Sequence, residues 1–287
     1  MRLFSALRRV AVAALFTIAG AVLAAPGDLD PAFGSAGVAR VNFRTVDSFA
    51  EARGVAVQAD GKVVVVGDYY EGVNTHVAMV RYNTDGTLDS GFGAAGVVQK
   101  TQFGYEFVED VTLQADGKIV VVGWNDVAGN DCFVARFNAN GSIDTSFGGG
   151  GTGFRSVEFG AAGGQDRCYA VRIDASGNIV IAGYGSFGVS FERNIALARF
   201  TPAGLPDASF GTGGEASFDL NPGGTDRAWA LAIQSDGKLV VAGRDNTANQ
   251  AYVARFGTNG SIDTTFNAPN GFHRLSLGGT ADEFRAI

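Results

Sequence analysis

Four segments of this chain align with one another without a gap: VAVQADGKVVVVG (55–67), VTLQADGKIVVVG (111–123), VRIDASGNIVIAG (171–183) and LAIQSDGKLVVAG (231–243). Their central glycines, Gly61, Gly117, Gly177 and Gly237, stand 56, 60 and 60 residues apart. A second landmark follows each: VRYNTDGTLDSGFG (80–93), ARFNANGSIDTSFG (135–148), ARFTPAGLPDASFG (198–211) and ARFGTNGSIDTTFN (254–267). A lone half-copy, LDPAFG at 29–34, opens the series. A period of this length restricts the fold to arrays of one supersecondary unit, stacked or set around an axis.

The unit reads as four strands. The first is GVARVNF (37–43), with GVVQK (96–100) and GFHRLSL (271–277) as equivalents. The second is RGVAVQ (53–58), and Asp60-Gly61 makes the tight turn that leads out of it. The third, KVVVVG (62–67), is apolar throughout, as a strand covered on both faces should be. The fourth is HVAMVRY (76–82). Four antiparallel strands per unit describe a propeller blade, and the 42 glycines suit the many turns it needs. The expected fold is all-β and propeller-like: repeats at about 29–87, 88–142, 143–204 and 205–261, and a partial one at 262–287. ADEFRAI (281–287) matches the start of TDRAWALAI (225–233), so the fifth blade is unfinished and the ring is expected to be open. A sequence cut from a longer protein explains this most simply; closure by self-association and a closed four-bladed ring are the alternatives.

These motifs together resemble the delta-sixty repeat family of exported bacterial proteins. The resemblance rests on Asp-Gly-Lys before a Val/Ile run ending in Gly, on Ala-Arg-Tyr/Phe, and on Asp-Gly-x-Leu-Asp-x-x-Phe-Gly-x-x-Gly. It covers residues 29 to 287, and the third repeat departs from it at Ser176-Gly177-Asn178 and Pro202-Ala203. It implies a β-propeller and an exported location, and no established activity.

Export is also read from the N-terminus. Arg2, Arg8 and Arg9 precede an apolar run from Val10 to Ala24, followed by Ala-Pro-Gly-Asp. That is the pattern of a signal peptide over 1–24, and its 15 apolar residues are short of a membrane span. Losing those three arginines takes the net charge from −7 to −10. With four lysines and no basic cluster, nucleic acid is excluded as a partner. Cys132 and Cys168 would face an oxidising destination; a disulfide and a pair of free, half-buried thiols are both open.

Function is sought first among residues that do not repeat. Phe33, Phe92, Phe147, Phe210 and Phe266 recur once per unit and are expected to plug the gaps between blades. Arg81, Arg136, Arg199 and Arg255 recur likewise, and should brace a turn or pair with an acid such as Asp89 or Asp144. The Asp-Gly turns and blade links are expected on one uniform face; the loops of the other face vary in length and content. Those loops hold the candidate binding residues Tyr69, Tyr70, Tyr105, Trp124, Asp126, Tyr184, Phe187 and Arg244. In the links, Asn83, Asp85, Thr87 and Asp89, and likewise Asn138, Asn140, Ser142 and Asp144, alternate oxygens about a glycine. Calcium is therefore considered there, with Asp85, Asp89, Asn140 and Asp144 as ligands, although Asn and Asp also favour such turns for backbone reasons. His76 and His273 belong to no motif, no catalytic residue is identified, and no cofactor is expected. An interaction scaffold contacting a protein or mediating adhesion is the leading expectation. A carbohydrate-binding module and, less favoured, a glycan-active hydrolase are the alternatives.

Overall fold

The structure is a computed structural model that describes residues 28–41, 50–71, 74–100, 106–126, 131–160, 163–187, 192–276, 278–279 and 281–287. The signal peptide expected at 1–24 lies outside these residues. The apolar runs and the turns between them form four sheets, each a four-stranded antiparallel meander. The first holds β1 (Ala50–Val57), β2 (Val63–Glu71), β3 (Asn74–Tyr82) and β4 (Val97–Lys100). The second holds β5 (Glu106–Leu113), β6 (Ile119–Asn125), β7 (Cys132–Phe137) and β8 (Phe154–Val157). The third holds β9 (Arg167–Ile173), β10 (Ile179–Phe187), β11 (Glu192–Phe200) and β12 (Glu215–Phe218). The fourth holds β13 (Asp226–Ile233), β14 (Leu239–Asp245), β15 (Gln250–Phe256) and β16 (Phe272–Leu275).

β1 packs on β5, β5 on β9 and β9 on β13, so the first strand of every sheet is innermost and the four-residue last strand is outermost. The series is not closed into a ring. Alternate residues of each second strand feed opposite interfaces. Ile119 and Val121 of β6 meet Val64, Val66 and Met79 of the first blade. Val120 and Val122 meet Val171, Ile179 and Ile181 of the third. Two-sided burial is thus why KIVVV carries no polar alternation. At the open end Val55 is 63% exposed, whereas its counterparts Val111, Val171 and Leu231 are 4% exposed or less.

The strand grouping corrects one expectation. GVVQK and GFHRLSL do not begin their blades: Val97–Lys100 pairs with β3, and Phe272–Leu275 pairs with β15, so each finishes the preceding sheet. Phe272–Leu275, within the stretch assigned to a partial fifth blade, therefore completes the fourth. The long link from β3 to β4 folds back along β3, with Asp89 N–H on Arg81 O and Arg81 N–H on Gly96 O, and so delivers β4 antiparallel to the strand it left.

The recurring arginines and phenylalanines lock blade to blade. Arg136 Nε donates to Asp144 Oδ2 at 2.8 Å, and Lys118 Nζ reaches the same oxygen at 3.0 Å. The guanidinium covers the Phe147 ring at 4.8 Å and Nη1 donates to the Pro202 carbonyl of the next blade. Phe147 is fully buried, and a Cβ on Gly204 (φ +84) would lie 2.4 Å from its ring. Arg81 repeats the lock with Asp89, Phe92 and Ala139 O, and Arg199 with Asp207, Phe210 and Thr258 O. Because the next blade contributes backbone carbonyls, Pro202-Ala203 fits the junction between the second and third blades as well as Asn or Asp would. Asp89 and Asp144 are thereby committed to Arg and Lys, while Asp85 and Asn140 accept the N–H groups of Thr87 and Ser142 two residues on. These four residues, considered above for calcium, build turns and ion pairs, and no group of three or more His, Cys, Asp or Glu side chains that could hold a metal occurs among the described residues.

Cys132 on β7 and Cys168 on β9 are joined by a disulfide, with Cα atoms 5.2 Å apart and both side chains fully buried. The alternative of two half-buried thiols is overturned. Their repeat positions differ because the bond crosses a junction, from the third strand of one blade to the first strand of the next. Closing a 36-residue separation should stabilise the fold by about 2–4 kcal/mol. The double variant Cys132→Ala/Cys168→Ala should show that loss in urea unfolding, and an unchanged midpoint would refute the staple. Phe147→Ala should cost about 3–5 kcal/mol. Phe266→Ala, at a half-exposed ring with no following turn over it, should cost less than half as much; equal losses in the same assay would show that the rings do not act through the next blade.

Candidate functional site

Each innermost strand carries a one-residue bulge at the same place. The extra residue is Arg53 in β1, Glu109 in β5, Tyr169 in β9 and Trp229 in β13. Opposite the bulge stands the glycine that ends each apolar run. A Cβ on Gly67, Gly123, Gly183 or Gly243 would lie 1.8–1.9 Å from the carbonyl oxygen of Glu51, Phe107, Arg167 or Arg227. Only glycine admits the bulged strand so closely. A strictly repeated backbone device therefore presents four chemically unrelated side chains along the inner edge of the array.

Two further columns flank the bulges. Asp68, Trp124, Tyr184 and Arg244 follow the four glycines on the second strands, and Glu51, Phe107, Arg167 and Arg227 precede the bulges by two residues. At the first blade Arg53 gathers Glu51 at 2.9 Å, Asp68 at 3.6 Å and Glu109 at 3.9 Å. Glu109 also accepts the Trp124 indole N–H at 3.0 Å. Trp124 lies between Phe107, stacked at 4.0 Å, and the Arg167 guanidinium, 3.6 Å from its centroid. Tyr169 and Tyr184 stand 6.0 Å apart, and Arg193 and Arg227 both lie over Tyr184, at 5.2 and 5.4 Å. At the last blade Arg285 covers Trp229 at 4.1 Å, and Arg244 donates to Asn249.

Burial sets the protonation of this edge. It pushes the Asp68 carboxyl up to about 6 against the pull of Arg53, raises Glu109 against the indole N–H, and takes the Tyr169 phenol up to about 12. Asp166 and Asp226, buried at the mouths of β9 and β13, are pushed up to about 6 and about 7. Both are structural: Asp166 accepts the N–H groups of Phe159 and Ser186, and Asp226 that of Leu220.

Of the residues picked out from sequence, Trp124, Tyr184 and Arg244 come together as equivalents in this arc. Tyr69 is buried against His76 at 5.2 Å, Tyr70 is half-buried, Asp126 is exposed just beyond β6, and Phe187 packs beneath the second apolar layer. Tyr105 lies outside the described residues. His76 is buried within β3 and His273 is exposed on β16. The bulge residues and the three arginines 167, 193 and 227 escaped the sequence reading. Their signal was available, since Arg53, Glu109, Tyr169 and Trp229 fill one alignment column that varies inside a constant frame.

Residues 58–92, 114–147, 174–210 and 234–266 match the family described as "Domain of unknown function (DUF5122) beta-propeller". Each matched segment runs from the turn after an innermost strand to the phenylalanine of the junction lock, and leaves the bulge outside. No curated protein matches the chain. Among solved structures, an exo-β-1,3-galactanase from Clostridium thermocellum is 15% identical with a TM-score of 0.42 over 79% of this chain and 48% of its own. The chain thus spans about half the length of that protein. A virginiamycin B lyase from Staphylococcus aureus is 14% identical (TM-score 0.39, 80% of this chain, 71% of that one). A GH43_1 enzyme from Xanthomonas citri is 11% identical (TM-score 0.38, 84% of this chain, 74% of that one).

Raised carboxyl pKa values and lowered ones act at opposite ends of the pH scale. Asp68, Asp166 and Asp226 keep their protons longer folded than unfolded, so stability falls as pH climbs from about 4 to about 7. Asp89, held at about 2 chiefly by its hydrogen bond from Lys62, and Asp263, held low by Thr265 and Lys238, contribute stability that is lost in stronger acid. The melting temperature should therefore peak near pH 4–5, and Asp226→Asn should flatten the fall towards neutrality. A midpoint that climbs from pH 5 to pH 8 would contradict this assignment.

Proposed function

We propose that this β-propeller repeat protein is an exported interaction scaffold that contacts a protein partner along its arc of bulged residues. The observation that carries the reading is the division of labour between columns. The repeated Arg81, Arg136 and Arg199, with their aspartates and phenylalanines, are spent on the junction locks, whereas the bulge column presents Arg53, Glu109, Tyr169 and Trp229 from identical backbone positions. Irregular side chains on a rigid repeat are what recognition requires. The N-terminal leader pattern and the buried disulfide support an exported location.

A sugar-binding surface would need uncovered rings. Here Trp124 has Phe107 on one face and Arg167 on the other, and Tyr184 is 1% exposed. Hydrolysis of a glycan has one observation in its favour, the two carboxyls of raised pKa, Asp68 and Glu109, about a single guanidinium. The Asp68 carboxylate, however, has no exposed surface with which to meet a substrate.

A photo-crosslinking amino acid at position 53 should give discrete protein adducts in the exporting cell, and the same residue at position 116, on the repeated face, should not. Equal labelling from both positions would remove the arc from consideration. Release of reducing ends from a polysaccharide by the purified protein, abolished in Glu109→Gln, would replace this reading with the hydrolase.

A further inference from the structure

The recurring arginines each have an aspartate. Arg81, Arg136, Arg199 and Arg255 bind Asp89, Asp144, Asp207 and Asp263 at 2.7–2.8 Å. Arg167, Arg193 and Arg227 have no ion-pair partner among the described residues. All three lie instead on aromatic rings of the arc, Arg167 on Trp124 and the other two on Tyr184. Nε of Arg167 and Nε of Arg227 are buried without any hydrogen-bond partner. Arg193 spends one Nη on Gln165 Oε1. Glu109, the acid on which the Arg167 charge acts, accepts the Trp124 indole N–H.

A guanidinium lying flat on a ring keeps its N–H groups pointing outward in its own plane, the geometry that receives a carboxylate side-on. Leaving three such charges unpaired in a chain of net charge −7 is unfavourable unless something else pairs them. They stand on β9, β11 and β13, in two adjacent blades, and Arg193 and Arg227 meet over one ring. The rings beneath them are covered, which removes the stacking a saccharide would use.

We propose that the partner docks an acidic polypeptide segment here, its carboxylates received by Arg167, Arg193 and Arg227. This rests on the reading of the arc as a protein-contact surface and adds the chemistry of the contact.

The test uses the full mature chain and a fluorescein-labelled oligo-glutamate peptide, followed by anisotropy at low and at physiological salt. The wild type should bind, more weakly as salt screens the charges. Arg167→Gln/Arg193→Gln/Arg227→Gln should bind at least tenfold more weakly, with its folding checked by circular dichroism. Arg227→Lys, which keeps charge but loses the fork, guards against misfolding and should lose affinity by a smaller factor. A control of the same charge, Arg40→Gln/Arg155→Gln/Arg172→Gln, should bind like the wild type. Absence of binding by the wild type, or equal loss in the control, overturns the inference. Displacement of the peptide by lower concentrations of polygalacturonate or a sulfated polysaccharide would reassign the site to an anionic glycan. Protein adducts at position 53 persisting while the peptide fails would sink this inference alone and spare the scaffold reading.

Discussion

The array depends on one guanidinium per junction that is asked to satisfy two blades at once. Arg136 holds Asp144 within its own sheet, shields Phe147 with its flat face and donates to a carbonyl of the next sheet. Burying such a pair brings little net stability by itself, because desolvation offsets most of the attraction. Its effect is on geometry. The donors leave the guanidinium in fixed directions, so the carbonyl that receives Nη1 fixes how far the next blade sits and how it is turned. The apolar layers between blades are built largely of Val, Ile, Leu, Ala and Phe, whose contacts carry no direction; the lock selects a single spacing among those that burial alone would allow.

The same economy separates scaffold from recognition. Each bulge is imposed by backbone register and accepted by a facing glycine, so neither partner in the device uses the bulged side chain. Arg53, Glu109, Tyr169 and Trp229 can differ freely without disturbing the sheet. A column whose side chains the bulge itself does not use, on the inner edge of a rigid array, is where binding chemistry can change without altering the backbone device.

Much of this was legible in the residues. The Asp-Gly turns, the two-sided apolar strands, the plugging role of the phenylalanines and the pairing of Arg with Asp all follow from local chemistry that repeats. The grouping of strands into blades was not, because GVVQK lies nearer in sequence to the strand after it than to HVAMVRY, and only hydrogen bonding shows that it pairs with the farther one. The Cys132–Cys168 bond was hidden for a related reason: partners across a junction occupy different repeat positions by construction. Bulges leave no composition signature, so the arc could be seen only as a variable column, and attention went to the loops, where Tyr69 and Phe187 are tied up in packing.

Charge along the arc is uneven in a way that the repeat cannot explain. At the first blade one guanidinium, Arg53, faces Glu51, Asp68 and Glu109; two blades on, Arg167, Arg193 and Arg227 face no acid in bonding range. Burial partly relieves the acidic end, since a carboxyl raised to about 6 sheds its proton more reluctantly and carries less charge. No comparable relief exists for arginine, whose guanidinium stays protonated at any ordinary pH. The basic end therefore presents three guanidinium groups without a carboxylate partner among the described residues, and the acidic end repels an anion drawn to them. A ligand bearing several carboxylates would be both attracted and oriented by this polarity, which gives the arc a direction as well as a surface.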